Sequence, residues 1–523
     1  MKLCMLVIAA ALTFATTTPV FAAAKRGDVL YTCDFGKPAS DAGWQGLSSP
    51  SVSWDQAATC GKALRITIPA GQPGNASVTR SLDVSTLRGL RVVVSAHVKA
   101  YDIVKPEHPW NGVKVMLVVK APSGTGYSQK NEVYGTFDWN EIRFGAEIPE
   151  DASSAELVLG IENTSGRAEF SDVRITVLEA PRAAANAAAK AAVYTGHAAP
   201  RLRGAMLGHA DEEGVAKFAN VWKANLFRYQ LGGSRPGGPE ADLGPAYDKW
   251  LDSRLSDLDK FLPLAQKYGV LVLVDMHSQP GGRISPFEGD RIFADVRYQD
   301  KLAEAWEKIS KRYRGNPAVW GYDLCNEPLE RTTPENVPGW QALATRLAKI
   351  VRRNDPDHAI IVESMNADPS EFRYLNPIPV KNIVYSVHFY EPGGYTMQGV
   401  GGAWAKVDYP GKISGKTWDK ASLAEALQPV VDFQKQCHAA IYVGEFSAVR
   451  WAPNSTQWLR DAIDIFEAHH WDWSYHAFRE WSGWDAEYPS DHDATARSET
   501  PTERETLLKS YYALNASPRV AGR

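Results

Sequence analysis

From residue 203 onward the chain alternates short apolar runs with amphipathic helices, and that alternation leaves few folds open. The runs at 204–208, 225–231, 270–276, 318–325, 359–363, 382–388, 440–445 and 473–479 read as strands, eight in all. Helical spacing lies between them. Leu251, Leu255, Leu258, Leu262 and Ala265 make one apolar stripe, and Leu302, Ala305, Trp306, Ile309 and Tyr313 make another, closed by Gly315-Asn316-Pro317. Ser422 with Glu425 reads as a capping box, and Thr500, Pro501 and Glu503 read as the start of a last helix. Eight β-then-α units predict an α/β architecture, a closed (β/α)8 TIM barrel. A doubly wound open sheet competes, but no Gly-rich phosphate loop follows the first strand.

Before residue 180 the pattern is different. Ala63–Ile68, Leu90–Val94, Val113–Val119 and Val173–Leu178 are short alternating runs, with Gly, Pro, Asn and Ser between them. That spacing predicts an all-β sandwich over 25–180. Half of residues 181–200 are Ala, between Pro181 and Pro200; the segment is too poor in large apolar side chains to build a core and reads as a linker. The barrel then occupies 201–515. At the start, Lys2 and the apolar stretch Leu3 to Ala15, followed by Val20-Phe21-Ala22, fit a signal peptide over 1–22. The expectation is therefore a soluble protein, secreted or periplasmic. In an oxidising compartment Cys33 and Cys60 could pair, while Cys325 and Cys437 sit in apolar surroundings as free thiols. The net charge of −4 gives no reason to expect a nucleic acid partner.

The ends of the apolar runs are polar. Arg228 follows the second strand, His277 the third, Asn326 and Glu327 the fourth, His388 and Tyr390 the sixth. Glu445 ends the seventh, and Arg479, Glu480 and Trp481 follow the eighth. In a (β/α)8 barrel the C-terminal strand ends carry the chemistry. Two carboxylates raised on two separate strands are what hydrolysis of a glycosidic bond needs, one as proton donor and one as nucleophile or base. The 17 Trp residues suit the same chemistry, because the apolar face of a sugar ring stacks on an indole.

Here a resemblance becomes specific. Leu324-Cys325-Asn326-Glu327-Pro328 matches an Asn-Glu-Pro acid/base motif, and Val443-Gly444-Glu445-Phe446 a nucleophile motif. Residues 203–515 resemble the retaining (β/α)8 glycoside hydrolases with glutamates on strands four and seven, and most of all glycoside hydrolase family 5, the cellulase family. Arg228, His277, His388 and Tyr390 fall where that family keeps its supporting residues. One departure stands out. The family usually ends strand eight with a Trp that floors the substrate site. Here Tyr475-His476-Ala477-Phe478 occupies that strand, between Trp473 and Trp481, and Trp481 is the preferred candidate.

The resemblance implies a two-step retaining mechanism with carboxyls about 5 Å apart. Glu327 is the acid/base and Glu445 the nucleophile. The charge of Glu445 favours the protonated form of Glu327 until Glu445 becomes a neutral ester; Glu327 then serves as base. Arg228 favours ionised Glu445, Tyr390 donates a hydrogen bond to it, and Asn326 holds the sugar 2-hydroxyl. His277 and His388 bind sugar hydroxyls or orient neighbours. The substrate implied is a β-linked polysaccharide or oligosaccharide, with endo-β-1,4-glucanase action first. β-Mannanase, xylanase and exo-β-1,3-glucanase action stay open on the same barrel. No metal or cofactor is expected, no membrane partner after signal cleavage, and the chain is expected to be a monomer. A non-catalytic polysaccharide-binding protein would not need the paired carboxylates. An esterase would need a Ser–His pair or metal ligands, and neither is found.

Two loops read as cleft walls. Residues 391–418 are Gly-rich and carry Tyr395, Trp404, Tyr409 and Trp418, with Trp404 a candidate sugar platform. Residues 482–499 are acidic and carry Trp484 and Tyr488. The segment 25–180 resembles the jelly-roll carbohydrate-binding modules attached to many glycanases, on Phe137-Asp138-Trp139-Asn140 and Phe170-Ser171-Asp172-Val173-Arg174-Ile175. Its Trp54, Trp110 and Tyr127 could stack on sugar or serve as core.

Overall fold

A computed structural model describes residues 24–35, 43–57, 61–182, 194–197, 199–207, 211–235, 237–402 and 406–515. The expected signal peptide, most of the linker, Cys60 with its possible bridge to Cys33, and Trp404 lie outside the described residues.

The alternating runs of the N-terminal segment form two antiparallel sheets. One sheet runs Val52–Ala57, Gly61–Ile68, Gly166–Glu179, Arg91–Ile103, Gly135–Glu147, with Val29–Cys33 also paired to Gly166–Glu179. The other runs Gly74–Leu82, Ser154–Thr164, Gly112–Ala121, Gly124–Gln129. Every second residue points inward. Leu64, Ile66, Val92, Val94, Leu117, Leu157 and Leu159 are wholly buried between the sheets.

The rest closes into a parallel barrel of eight strands. In order they are Arg203–Leu207, Leu226–Gln230, Leu271–Asp275, Val319–Asp323, Ala359–Glu363, Ile383–Phe389, Ala440–Phe446 and Asp472–Tyr475. The eighth strand stops at Tyr475, short of the expected residue 479. Phe478 leaves the barrel to pack on Phe218 and Trp222, at 4.8 and 5.1 Å between ring centres. Two helix starts also differ from expectation. Asp419, not Ser422, caps helix Lys420–Ala426, accepting from the Ser422 N–H at 3.0 Å. Thr502, not Thr500, caps Glu503–Tyr512 by accepting from the Glu505 N–H. In both cases the capping residue is the one with extended backbone just outside the helix.

The barrel interior changes character along its axis. Leu226, Leu273, Ile361, Val384 and Tyr442 pack together as an apolar plug inside the lower end. Two residues further along four of those strands the inward positions are Arg228, Asp275, Glu363 and Ser386, and His388 comes two later. The same pleat that buries the plug therefore lifts a polar layer to the C-terminal mouth.

The sandwich rests against the barrel through a polar seam. Arg91 pairs with Glu371, with both side chains nearly inaccessible, and stacks over the Tyr374 ring at 4.7 Å. The Tyr374 hydroxyl donates to the Gly89 carbonyl at 3.0 Å. Arg182 donates to the carbonyls of Phe372 and Leu375, and Arg26 to Glu330. Among the described residues no helix is long and apolar enough to cross a membrane.

Candidate active site

Arg228 is the centre of the mouth. Its side chain is fully buried, and its guanidinium meets four carboxylates: Asp275 at 3.1 Å, Asp323 at 3.0 Å, Glu363 at 2.9 Å and Glu445 at 2.6 Å. It also donates to the amide oxygen of Asn326 at 3.0 Å. That bond fixes the Asn326 side chain with its NH2 group turned away from Arg228. Burial disfavours the charge on Arg228, but Asp275, Asp323, Glu445 and Glu363 outweigh it and hold the guanidinium firmly protonated.

Glu445 is 4% exposed and has a partner on each oxygen. Oε1 accepts from Arg228; Oε2 accepts from the Tyr390 hydroxyl at 2.9 Å and lies 3.2 Å from His476 Nδ1. Burial alone would raise its pKa. His388, His476 and Arg228 reverse that and hold it well below the usual carboxylate range. Burial and the charge of Glu445 push the Tyr390 phenol up, so it keeps its proton and donates. His476, whose pKa is pushed up to about 9 against its burial by Glu445 and Glu480, is an imidazolium at neutral pH.

Glu327 differs in every respect. Its side chain is 30% exposed, and His388 Nδ1 approaches it at 3.0 Å. Its φ of 43° lies in the left-handed region, uncommon for a residue with a Cβ. Two contacts hold it there: its N–H donates to Glu363 Oε2 at 2.7 Å, and its carbonyl accepts from Arg283 at 2.7 Å. His388 bridges the two glutamates, standing 3.8 Å from Glu445, with its other nitrogen 3.2 Å from Glu363. One oxygen each of Glu327 and Glu445 and one His388 nitrogen lie within 4.8 Å of one another. These could be read as cation ligands. Although burial opposes it, Glu363 and Glu445 drive the His388 pKa well up.

Glu445 reaches the mouth through an irregularity. Tyr442 faces the inner plug and Val443 the outer core. A regular pleat would then turn Gly444 inward and Glu445 outward. Pairing with strand six slips between Val387 and His388, so that Val443 opposes Val387 and Glu445 opposes His388. Gly444 is the extra residue of this bulge, and Glu445 turns inward after it.

Both glutamates border one open space, and Glu327 borders a second. One cavity of about 560 Å³ is lined by His277, Asn326, Glu327, His388, Tyr390, Glu445, His476 and Trp484, with Met397 and Val400 from the 391–418 loop. A second, of about 700 Å³, shares His277, Asn326 and Glu327 and continues past Arg235 and Arg283. Together they form a cleft running across the mouth. A family model for cellulases, glycosyl hydrolase family 5, matches residues 188–488, more than half the chain. The chain belongs to glycosyl hydrolase family 5.

It is 26% identical over 251 residues to endoglucanase C of Acetivibrio thermocellus, across 42% of this chain and 71% of that one. It is 26% identical over 223 residues to cellodextrinase A of Ruminococcus flavefaciens, across 40% and 64%. A solved glycoside hydrolase structure aligns with 60% of this chain and 99% of its own, at 19% identity and a TM-score of 0.48. On the family match, this chain is an O-glycosyl hydrolase.

The structure brings Arg228, Asn326, Glu327, His388, Tyr390 and Glu445 into one contact network. His277 stands beside them on the cleft wall, its Nδ1 2.8 Å from Asp275. Trp481 is placed differently from expectation. Trp484, not Trp481, lines the cavity with His476; Trp481, 40% exposed, stands edge-on to Trp484 at 5.2 Å. The cause is the early end of strand eight, which gives the strand-tip position to His476. The aromatics of the 391–418 loop are mostly core. Tyr395 and Tyr409 are wholly buried and bonded to the Pro453 carbonyl and Asp461. Four residues around the nucleophile network escaped the sequence reading in these roles: Asp275, Asp323, Glu363 and His476. Glu363 carried the signal already used elsewhere, an acid closing the apolar run Ala-Ile-Ile-Val.

Proposed function

We propose that this enzyme cleaves β-1,4-linked glucan within the chain by double displacement, with Glu445 as nucleophile and Glu327 as acid/base. The supporting observation is the pairing itself. Two carboxylates stand with oxygens within 4.8 Å, in opposite environments. That is near the roughly 5–5.5 Å of retaining enzymes and short of the ~6.5–9.5 Å that an inverting enzyme leaves for water. Glu445 is held ionised with a partner on each oxygen, which suits attack on the anomeric carbon. Glu327 is half open to the cleft and touches only His388 through its carboxyl group among the described residues, which suits exchange of a proton with substrate.

In the first step Glu327 protonates the departing glycosidic oxygen while Glu445 forms a bond to the anomeric carbon. In the second, Glu327 takes a proton from water, which displaces Glu445. Arg228, His388 and His476 stabilise the carboxylate as it leaves, so the same cations that keep Glu445 ionised favour breakdown of the ester. The free NH2 of Asn326 is the donor for the sugar 2-hydroxyl. The relatives named endoglucanase and cellodextrinase support glucan as substrate. Export belongs to the same reading, supported by Lys2 and the apolar stretch after it.

Product analysis on cellulose, mixed-linkage glucan, mannan, xylan and laminarin tests the substrate. Proton NMR of the first product tests the mechanism: the β-anomer should appear first, and inversion would rule the mechanism out. Glu445→Gln should abolish turnover with folding unchanged; near-normal turnover would remove Glu445 from its role.

A further inference from the structure

Three strongly exposed aromatic rings meet where the sandwich adjoins the barrel. Trp110 is 51% exposed, Tyr127 67% and Phe287 81%, and all three line one cavity of about 710 Å³. Tyr127 comes from the edge strand of the four-stranded sheet, Gly124–Gln129, and Trp110 from the loop before Gly112–Ala121, where one face of its ring stacks on His108 at 4.6 Å. Phe287 comes from the barrel, at the tip of the hairpin joining Arg283–Ser285 to Gly289–Asp290. Leaving a Phe ring in water forgoes the free energy of burying it. Trp54, the other aromatic of the sandwich considered for stacking, packs instead against Phe35.

Phe287 is not on a loose loop. Asp290 at the hairpin base is wholly buried; its N–H donates to the Leu329 carbonyl and its carboxylate accepts from the Leu329 N–H. Arg283 pairs with Asp290 at 2.9 Å. Gly289, at φ +85°, has no room for a side chain, since a Cβ would stand 2.4 Å from the Leu329 carbonyl oxygen. The opposite wall is equally close. A Cβ on Gly145 of the sandwich would stand 2.5 Å from the Arg331 carbonyl oxygen. Polar groups complete the cavity: Gln129, Glu162 and Arg331, with buried Lys114 bonded to the first two. Flat apolar faces beside hydrogen-bonding side chains suit sugar rings.

One short hairpin links the cavity to the cleft. Arg283 lines the space beside Glu327, and Phe287 lines the seam cavity. The four residues from one to the other span at most about 14 Å. On the other strand of contacts, the backbone runs from Glu327 to Arg331 at the sandwich in four residues.

We propose that the seam is an accessory binding site for the β-linked glucan chain, built jointly by Trp110 and Tyr127 of the sandwich and Phe287 of the barrel. It lengthens the cleft on the Glu327 side, and neither domain carries it alone. The proposal rests on the glucan reading above for the identity of its ligand. Its consequence is a gain on long chains only.

The test uses the full chain and the triple variant W110A/Y127A/F287A. On soluble mixed-linkage glucan KM should rise about tenfold. On an aryl cellobioside, too short to reach the seam, kcat/KM should stay within twofold, with the melting temperature unchanged. Equal loss on both substrates, or no loss on either, overturns the proposal. Gel retardation by the same glucan separates this from failure of the functional reading. If the wild type hydrolyses no glucan, the cleft assignment falls; the seam proposal then stands if retardation is lost in the triple variant and falls if it is not.

Discussion

Gly444→Ala is the sharpest perturbation of this site, because it adds one methyl group beside the nucleophile and removes no catalytic group. The φ of Gly444 is not in the left-handed region, so the backbone itself accepts alanine. The obstacle is space. A Cβ would stand 2.7 Å from Ser386 Oγ, 2.8 Å from His388 Nε2 and 3.0 Å from His388 Cδ2. Ordinary non-bonded separation is about 3.5 Å, so the imidazole would have to yield by about 0.7 Å. His388 has no slack, being held at 3.0 Å from Glu327 and 3.2 Å from Glu363. Misplacement by 1 Å costs roughly 10²-fold in rate, so about 10- to 50-fold in kcat is expected here. Overpacking should also cost about 1–3 kcal/mol of stability. Steady-state kinetics on an aryl cellobioside, with thermal melting, reads both. KM should move little, because the added methyl lies behind the glutamates. Ser386→Ala should not rescue the variant, since the imidazole contact remains. Wild-type kcat and melting temperature in Gly444→Ala would show that the bulge slips to make room, and the claim that it fixes His388 against Glu445 would be lost.

Two further outcomes follow from the charges. His476→Gln removes a cation from the nucleophile, so the acid limb of kcat/KM should move up by about one unit or more. The stability that wild-type His476 contributes, with its folded pKa near 9, is complete below about pH 6.5 and lost as pH rises through 9; melting across that window should flatten in the variant. At the seam, burial pushes the Glu179 carboxyl up to about 7 despite Arg91, so the folded state holds this proton more tightly than the unfolded chain. Stability therefore falls between about pH 4.5 and 7, and Glu179→Gln should raise the melting temperature at pH 8 but not at pH 4.5.

The eight strands were legible because each is a short apolar run and a period separates it from helix. The residues at their tips were legible because polar side chains break those runs. What could not be read was which tip residues turn inward. Period-2 alternation gives facing only if pairing is regular, and two of the barrel ladders slip, one between Val272 and Leu273 and one between Val387 and His388. Aromatic fate was equally hidden. Tyr409 is core because Asp461, far away in sequence, accepts its hydroxyl, while Trp484 faces the cleft only because strand eight ends at Tyr475. The 482–499 loop reads as acidic surface, yet the buried Arg450 guanidinium organises it by donating to the carbonyls of Pro489, His492 and Ala494. The polar contacts of the seam left no periodic signature, since arginines such as Arg91 and Arg182 make them.

The four carboxylates around Arg228 pose a question of charge that bears on how the nucleophile is chosen. Two like charges about 4 Å apart repel by roughly 4 kcal/mol at an effective dielectric of 20, so one guanidinium cannot balance four anions. The proton settles where cations are fewest. Glu445 faces Arg228, His388 and His476, and stays ionised. Asp323 meets Arg228 with no second cation in contact among the described residues, and burial together with neighbouring Glu363 pushes its pKa far up. We predict that Asp323 holds its proton and gives Arg228 an acceptor without adding charge. Asp323→Asn keeps that shape and that charge. It should leave kcat within about threefold and should not lower the melting temperature at neutral pH, because no ionised group has been removed. Glu445→Gln, equally isosteric, should lose all turnover. If Asp323→Asn instead costs a hundredfold or unfolds the barrel, Asp323 is ionised, and the nucleophile's charge is set by something other than the number of cations around it.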